Sequence, residues 1–159
     1  MKYGSSKNVN LRKIKHSKHL LNVRNTDDFC VLYAIASGLF LNDKTIRDRS
    51  DPTETLYTNF IKSLNLQDVS FPGSLCDIKT LVNNNKSLDL TINIFSLIQN
   101  DVYSILQIGR GNVIINLLTI DLEASDFDKF NHKFTIGHVV LIKDLGKYNT
   151  FIEISYLYL

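Results

Sequence analysis

Between Val31 and Phe40 the chain reads VLYAIASGLF, apolar or small at nearly every position. A helix built from it has no polar stripe to give to solvent, so it must be buried on most sides. In a chain of 159 residues, the rest must then wrap that helix as one domain with a substantial core. Asn25, Thr26, Asp27 and Asp28 stand just before it. They are N-capping side chains and carboxylates suited to unpaired N–H groups and to the positive end of the macrodipole. The pattern predicts a helix starting between Asp28 and Cys30, with the Cys30 thiol in its first turn.

A thiol at a helix N-terminus is expected to ionise more readily, and a neighbouring imidazole favours the thiolate further. The same N–H groups can donate to an oxyanion forming beside the sulfur. Against this stands the commonest fate of a free cysteine, a buried and inert one.

The run Asp27-x-x-Cys30-x-Leu32-Tyr33-Ala34-Ile35 resembles the nucleophile motif of ovarian-tumour-type (OTU) cysteine proteases, with Asp28 where the family usually has Gly. More broadly, residues 20 to 148 are similar to the papain-like cysteine-protease domains carried beside polymerases in large eukaryotic mobile elements. That likeness rests on the Asp27/Cys30 motif, Phe71-Pro72, Ile92-Asn93-Ile94-Phe95, Asn116-Leu117-Leu118 and His138-Val139-Val140-Leu141-Ile142-Lys143-Asp144-Leu145. It implies a papain-like α+β fold in which N-terminal helices, one bearing a buried Cys, pack on a mostly antiparallel sheet. It also implies thiol-dependent hydrolysis.

Charge divides the chain at its N-terminal end. Residues 1–24 hold seven Lys/Arg and no Asp/Glu, leaving eleven basic against sixteen acidic residues in the body. The expected organisation is a basic arm over 1–19 and a papain-like or OTU-like domain over 20–159. Such an arm can meet nucleic acid or an acidic partner, or lie solvated against its own domain. The solvated reading is preferred, because no aromatic side chain is interleaved between Arg12 and His19 to stack on a base. Cys30 and Cys76 make neither a disulfide framework nor a zinc site. No apolar run reaches a membrane span, and Met1 to Ser6 lacks the apolar core of a secretory signal. An intracellular setting, no membrane and no cofactor are expected.

Along the chain, Asp51-Pro52-Thr53-Glu54 reads as a helix start, with Asp51 as N-cap. Leu56, Tyr57, Phe60, Ile61 and Leu64 form the apolar face of that helix. A third helix begins at Ser74-Leu75-Cys76-Asp77 on the apolar positions Leu75, Ile78, Leu81 and Val82, with Cys76 expected to pack, and Asn83-Asn84-Asn85 ends it. Strands then follow over 88–97, 102–108, 113–120 and 139–143, with a last one over 151–159. Gly109-Arg110-Gly111-Asn112 reads as a hairpin turn, and Asp144-Leu145-Gly146-Lys147 as another turn. Phe127, Phe130 and Phe134 sit in an expected loop.

A cysteine peptidase needs an imidazole and usually a third group to hold it. His138, opening an apolar strand, is the expected base, as the resemblance implies. His132 is the fallback. His16 and His19 have no Cys or acid near enough to complete a metal site, so no metal is expected. Many OTU enzymes place a polar residue two positions after the His, where this chain has Val140. Asp121 is the expected orienting group if strands 113–120 and 138–143 pair antiparallel. Asp144 would lie about 20 Å along the same strand at ~3.3 Å per residue. Asn25 and Asp27 are assigned to the oxyanion side of the loop. The function expected is a peptidase, or a deubiquitinase-like isopeptidase, acting on a ubiquitin-like protein or a polyprotein. The alternative is an inactive interaction domain of the same fold, using the arm for a partner or nucleic acid.

Overall fold

The computed structural model describes residue 14 and residues 17–98, 101–120, 138–151 and 154–156. A 3-10 turn, Ser17–His19, leads into β1 (Leu20–Leu21) and then the central helix α1 (Cys30–Leu39). Helices α2 (Thr55–Ser63) and α3 (Leu75–Asn84) follow. Next come β2 (Leu90–Ile98), β3 (Asp101–Ile108), β4 (Val113–Ile120) and β5 (His138–Ile142). The last elements are α4 (Leu145–Phe151) and β6 (Ile154–Tyr156). The class is α+β, with one six-stranded sheet ordered β1-β5-β4-β2-β3-β6. Three of its five pairings are antiparallel; β2 with β4 and β3 with β6 are parallel.

Strand alternation gives the sheet two apolar faces. Ile92, Ile94, Leu117, Val139 and Leu141 join α1, α2 and α3 in the larger cluster. Phe95, Val102, Leu118, Ile120, Val140 and Ile142 form the second, with Leu20 of β1 and Tyr148 of α4. Helix α1 buries seven of its ten residues, as its lack of a polar stripe requires. Ser37 enters that interior with its hydroxyl donating to Ala34 O at 2.8 Å, so burial leaves it satisfied.

Several local expectations change. Helix α2 begins at Thr55 rather than at Pro52, because Asp51 spends its carboxylate on a tight turn, accepting Thr53 N at 2.8 Å and Thr53 Oγ1 at 2.7 Å. Helix α3 starts where expected, with a reciprocal capping box between Ser74 and Asp77. Cys76, however, is exposed rather than packed. Asn85, just past Asn84, ties the end of α3 to the end of α2: its amide accepts from Asn65 N at 2.9 Å and donates to Asn65 O at 3.0 Å.

Residues 109–112 are not a hairpin turn. Strand β2 lies between β3 and β4, so these four residues carry the chain across the start of β2. Gly111 N donates to Leu90 O at 3.3 Å, and Val113 N to Asp89 O at 2.9 Å. The crossing is close: a Cβ on Gly111 would collide with the Asp89 carbonyl, and Gly109 adopts φ +81° against Leu90 O.

The expected turn at 144–147 opens α4 instead. Asp144 Oδ1 accepts Lys147 N at 3.0 Å, as an N-cap does. The fully buried Tyr148 ring then anchors the helix. Within the span of the expected last strand, Phe151 closes α4 and Ile154–Tyr156 form β6.

The boundary between arm and domain also softens. Lys143 N donates to His19 O at 2.8 Å, so the last residues of the basic segment join the end of β5. The arm before residue 14, the Phe127–Phe134 loop and the candidates His16, His132 and Asp121 lie outside the described residues.

Candidate functional site

Residues 25–29 set the angle at which α1 starts. Asp27 Oδ1 accepts Phe29 N at 3.0 Å, closing an Asx turn, and Asn25 Nδ2 donates to Asp27 O and Oδ1, both at 2.9 Å. Tyr33, one turn into α1, brings its hydroxyl to 3.5 Å from Asp27 Oδ2. The helix N-cap is Phe29, with no side-chain cap. The acid, three residues before the cysteine, thus holds the N–H of the N-cap residue rather than those of the first helical turn. The Phe29 ring meets Phe71 edge to face, centroids 4.8 Å apart, and so braces the loop against the segment before α3.

This geometry gives Asn25 and Asp27 to the frame of the loop. Asn25 is 3% exposed and directs its amide donor to two acceptors on Asp27. Its Oδ1 is buried without a hydrogen-bond partner among the described residues. What Asn25 has left to offer is an acceptor, whereas an oxyanion needs a donor.

Cys30 is 6% exposed. Burial pushes its thiol pKa up; the N–H groups of Val139 and Val31 pull it partly back, and the Asp27 and Asp28 carboxylates raise it again. The easily ionised thiol expected from a helix start is therefore reversed here: desolvation outweighs the helix end. The Val139 contact fixes position. Strand β1 ends at Leu21, opposite Leu141, and the start of α1 comes up to β5 beyond that point, with the sulfur against the N–H of the residue following His138.

His138 begins β5, is 6% exposed, and pairs with Ile120 of β4. The antiparallel pairing on which the choice of Asp121 rested is therefore present, with Ile120, its predecessor, opposite His138. By alternation His138 shares the face of Val140 and Ile142, while Cys30 lies with Val139 and Leu141 on the other. The two can meet only at the edge of β5 that β1 leaves open. His138 Nε2 lies 2.6 Å from Asn22 Oδ1. Sequence reasoning passed over Asn22, since no local pattern links positions 22 and 138; the β1–β5 register is what joins them.

His19 has its imidazole pKa lowered by desolvation and by Lys18, Lys143 and Lys147. Among the described residues no group of three His, Cys, Asp or Glu is placed to hold a metal ion. No helix among them is long and apolar enough to cross a membrane. No protein-family model, curated protein or solved structure matches the chain.

Proposed function

We propose that this chain is a papain-like thiol peptidase or isopeptidase of OTU type, with Cys30 as nucleophile and His138 as base. Its substrate is a ubiquitin-like protein or a polyprotein. The observation that supports this most is the seat of the Cys30 sulfur, in the first turn of a buried helix and against the N–H of the residue after His138. With the thiol held protonated, the chemistry is general-base attack rather than reaction of a resting ion pair. His138 takes the thiol proton as sulfur bonds to the carbonyl carbon, then returns it to the leaving amine. Water then cleaves the thioester, releasing the acid and restoring the thiol. Asp121, next in the chain after the residue paired with His138, is proposed to favour the imidazolium by its charge rather than by a hydrogen bond to the ring.

A second reading has its own support. Burial and two carboxylates beside Cys30 also suit an inert thiol in an interaction domain. Hydrolysis separates the two. Ubiquitin dimers, ubiquitin–peptide fusions and a peptide library are incubated with the chain and with Cys30→Ala and His138→Ala. The peptidase reading expects turnover that vanishes with Cys30→Ala and falls by ~10²–10⁴ with His138→Ala. Turnover on none of these substrates gives the interaction domain, and turnover unchanged by either substitution removes Cys30 and His138 from the reaction.

A further inference from the structure

We infer that Asn22 is the positioning residue for His138, fixing the imidazole as the Nε2–H tautomer and leaning it toward the open edge of β5 where the Cys30 sulfur lies. The inference rests on the peptidase reading for its catalytic meaning and on geometry for its substance.

The contact is His138 Nε2 to Asn22 Oδ1 at 2.6 Å. An amide oxygen only accepts, so the hydrogen in this bond must come from the ring. A neutral imidazole that carries its proton on Nε2 has Nδ1 as its basic nitrogen. Asn22 thereby decides which nitrogen can take the thiol proton.

The backbone places Asn22 for this. β1 pairs with β5 through Leu20↔Ile142 and Leu21↔Leu141, so Asn22 is the first residue past the paired stretch, on the β1 side of β5. Alternation from Leu20, which packs in the second cluster with Val140 and Ile142, puts Asn22 on the face shared by His138. Arg24 N then donates to Ser50 O at 2.8 Å, and Val23 is buried in the larger cluster, which hold the segment on either side of its turn toward the Cys30 loop. A ring bonded to Asn22 is thus drawn sideways to the β1 edge rather than straight out from the face of the sheet. The thiol occupies that edge, beside Val139 N–H. The side chain that holds the base therefore precedes the nucleophile in the chain.

The test reads the ring directly and turnover separately. Long-range ¹H–¹⁵N spectra of His138 are compared in the unsubstituted chain, Asn22→Leu and Asn22→Asp, with far-UV circular dichroism and urea midpoints as fold controls. The expected result is the Nε2–H tautomer in the unsubstituted chain, a mixed or Nδ1–H population in Asn22→Leu, and the Nε2–H form again in Asn22→Asp, which keeps an acceptor. On a cleaved substrate, Asn22→Leu is expected to lower kcat by up to ~100-fold, the scale of a misplaced group, with KM little changed. An Nδ1–H tautomer in the unsubstituted chain, a tautomer indifferent to Asn22→Leu, or full kcat in a folded Asn22→Leu protein overturns the inference. Full turnover in His138→Ala instead overturns the peptidase reading, whatever the tautomer.

Discussion

Replacing Gly111 by Ala distinguishes the crossover of residues 109–112 from the hairpin turn that the same residues suggest. The added Cβ would fall on the Asp89 carbonyl and within 2.5 Å of Leu90 N. These are backbone atoms at the start of β2, which no rotamer change can clear. Overpacking of this kind costs about 1–3 kcal/mol. Moving the crossing also weakens two bonds that hold it, Gly111 N to Leu90 O at 3.3 Å and Thr91 Oγ1 to Gly111 O at 2.7 Å. At ~0.5–1.5 kcal/mol each, the total comes to roughly 2–6 kcal/mol. In an open hairpin the same change, at a position where Ala fits, would stabilise by ~0.4–1 kcal/mol, so the two topologies differ in sign. Urea unfolding followed by circular dichroism reads this directly: with a slope of about 2 kcal/mol/M, the midpoint should fall by about 1–3 M. Gly73→Ala is the control, because its Cβ would meet nothing closer than 3.5 Å. If Gly111→Ala is as stable as Gly73→Ala, the crossover is wrong.

Ile35→Ala removes three carbons from a side chain that is 1% exposed on α1. At ~0.8 kcal/mol per carbon plus the cavity left behind, it should cost ~3–5 kcal/mol, read by the same urea assay; a loss under ~1 kcal/mol would remove α1 from the centre of the core. Asp77 has its carboxyl held low: desolvation opposes this but is outweighed by hydrogen bonds from Ser70 N and from the Ser74 hydroxyl and N–H. Acid therefore protonates it in the unfolded chain first, near ~3.9. Asp77→Asn should cost ~1 kcal/mol at neutral pH, a gap that closes as pH falls below 4; a gap constant from pH 7 to 3 would contradict the capping role. Tyr148 buries its hydroxyl with no hydrogen-bond partner among the described residues, and burial pushes its pKa up to about 12. Tyr148→Phe should then be neutral or slightly stabilising in thermal unfolding, and a loss above ~1 kcal/mol would reveal a bond to that hydroxyl.

The elements legible from sequence were those whose apolar period is unbroken. VLYAIASGLF could be little other than a buried helix. Leu75, Ile78, Leu81 and Val82 mark the buried face of α3, and the runs at 90–98, 113–120 and 138–142 are strands. The juxtaposition of residue 120 with His138 was legible too, because two strands of that kind joined by one connection tend to pair. Strand order was not. Gly-Arg-Gly-Asn permits tight backbone wherever it is needed, and says nothing of whether a neighbouring strand passes beneath it. Helix α4 was hidden by Gly146 and Thr150, both weak helix formers; the cap at Asp144 and the burial of Tyr148 outweigh them. At the site, Cys30 and His138 carry local signals, a helix start and a strand start. Asn22 carries none, since only the register of a two-residue strand places it beside the imidazole. The Cys30 pKa escaped for a related reason: the helix end is visible in the sequence, while the desolvation that overrides it comes from packing.

The two cysteines give the peptidase account its most direct measurement. A peptide or ubiquitin carrying an electrophile in place of its scissile carbonyl is incubated with the folded chain at neutral pH, and the adduct is mapped by mass spectrometry, with iodoacetamide as the undirected comparison. Cys76 is exposed, whereas Cys30 is buried with its thiol pKa pushed up. Iodoacetamide should therefore modify Cys76 first. The directed probe should reverse that order and modify Cys30, at a rate that falls sharply in His138→Ala. Modification of Cys76 alone by every directed probe, or equal modification of Cys30 with and without His138, would contradict the account.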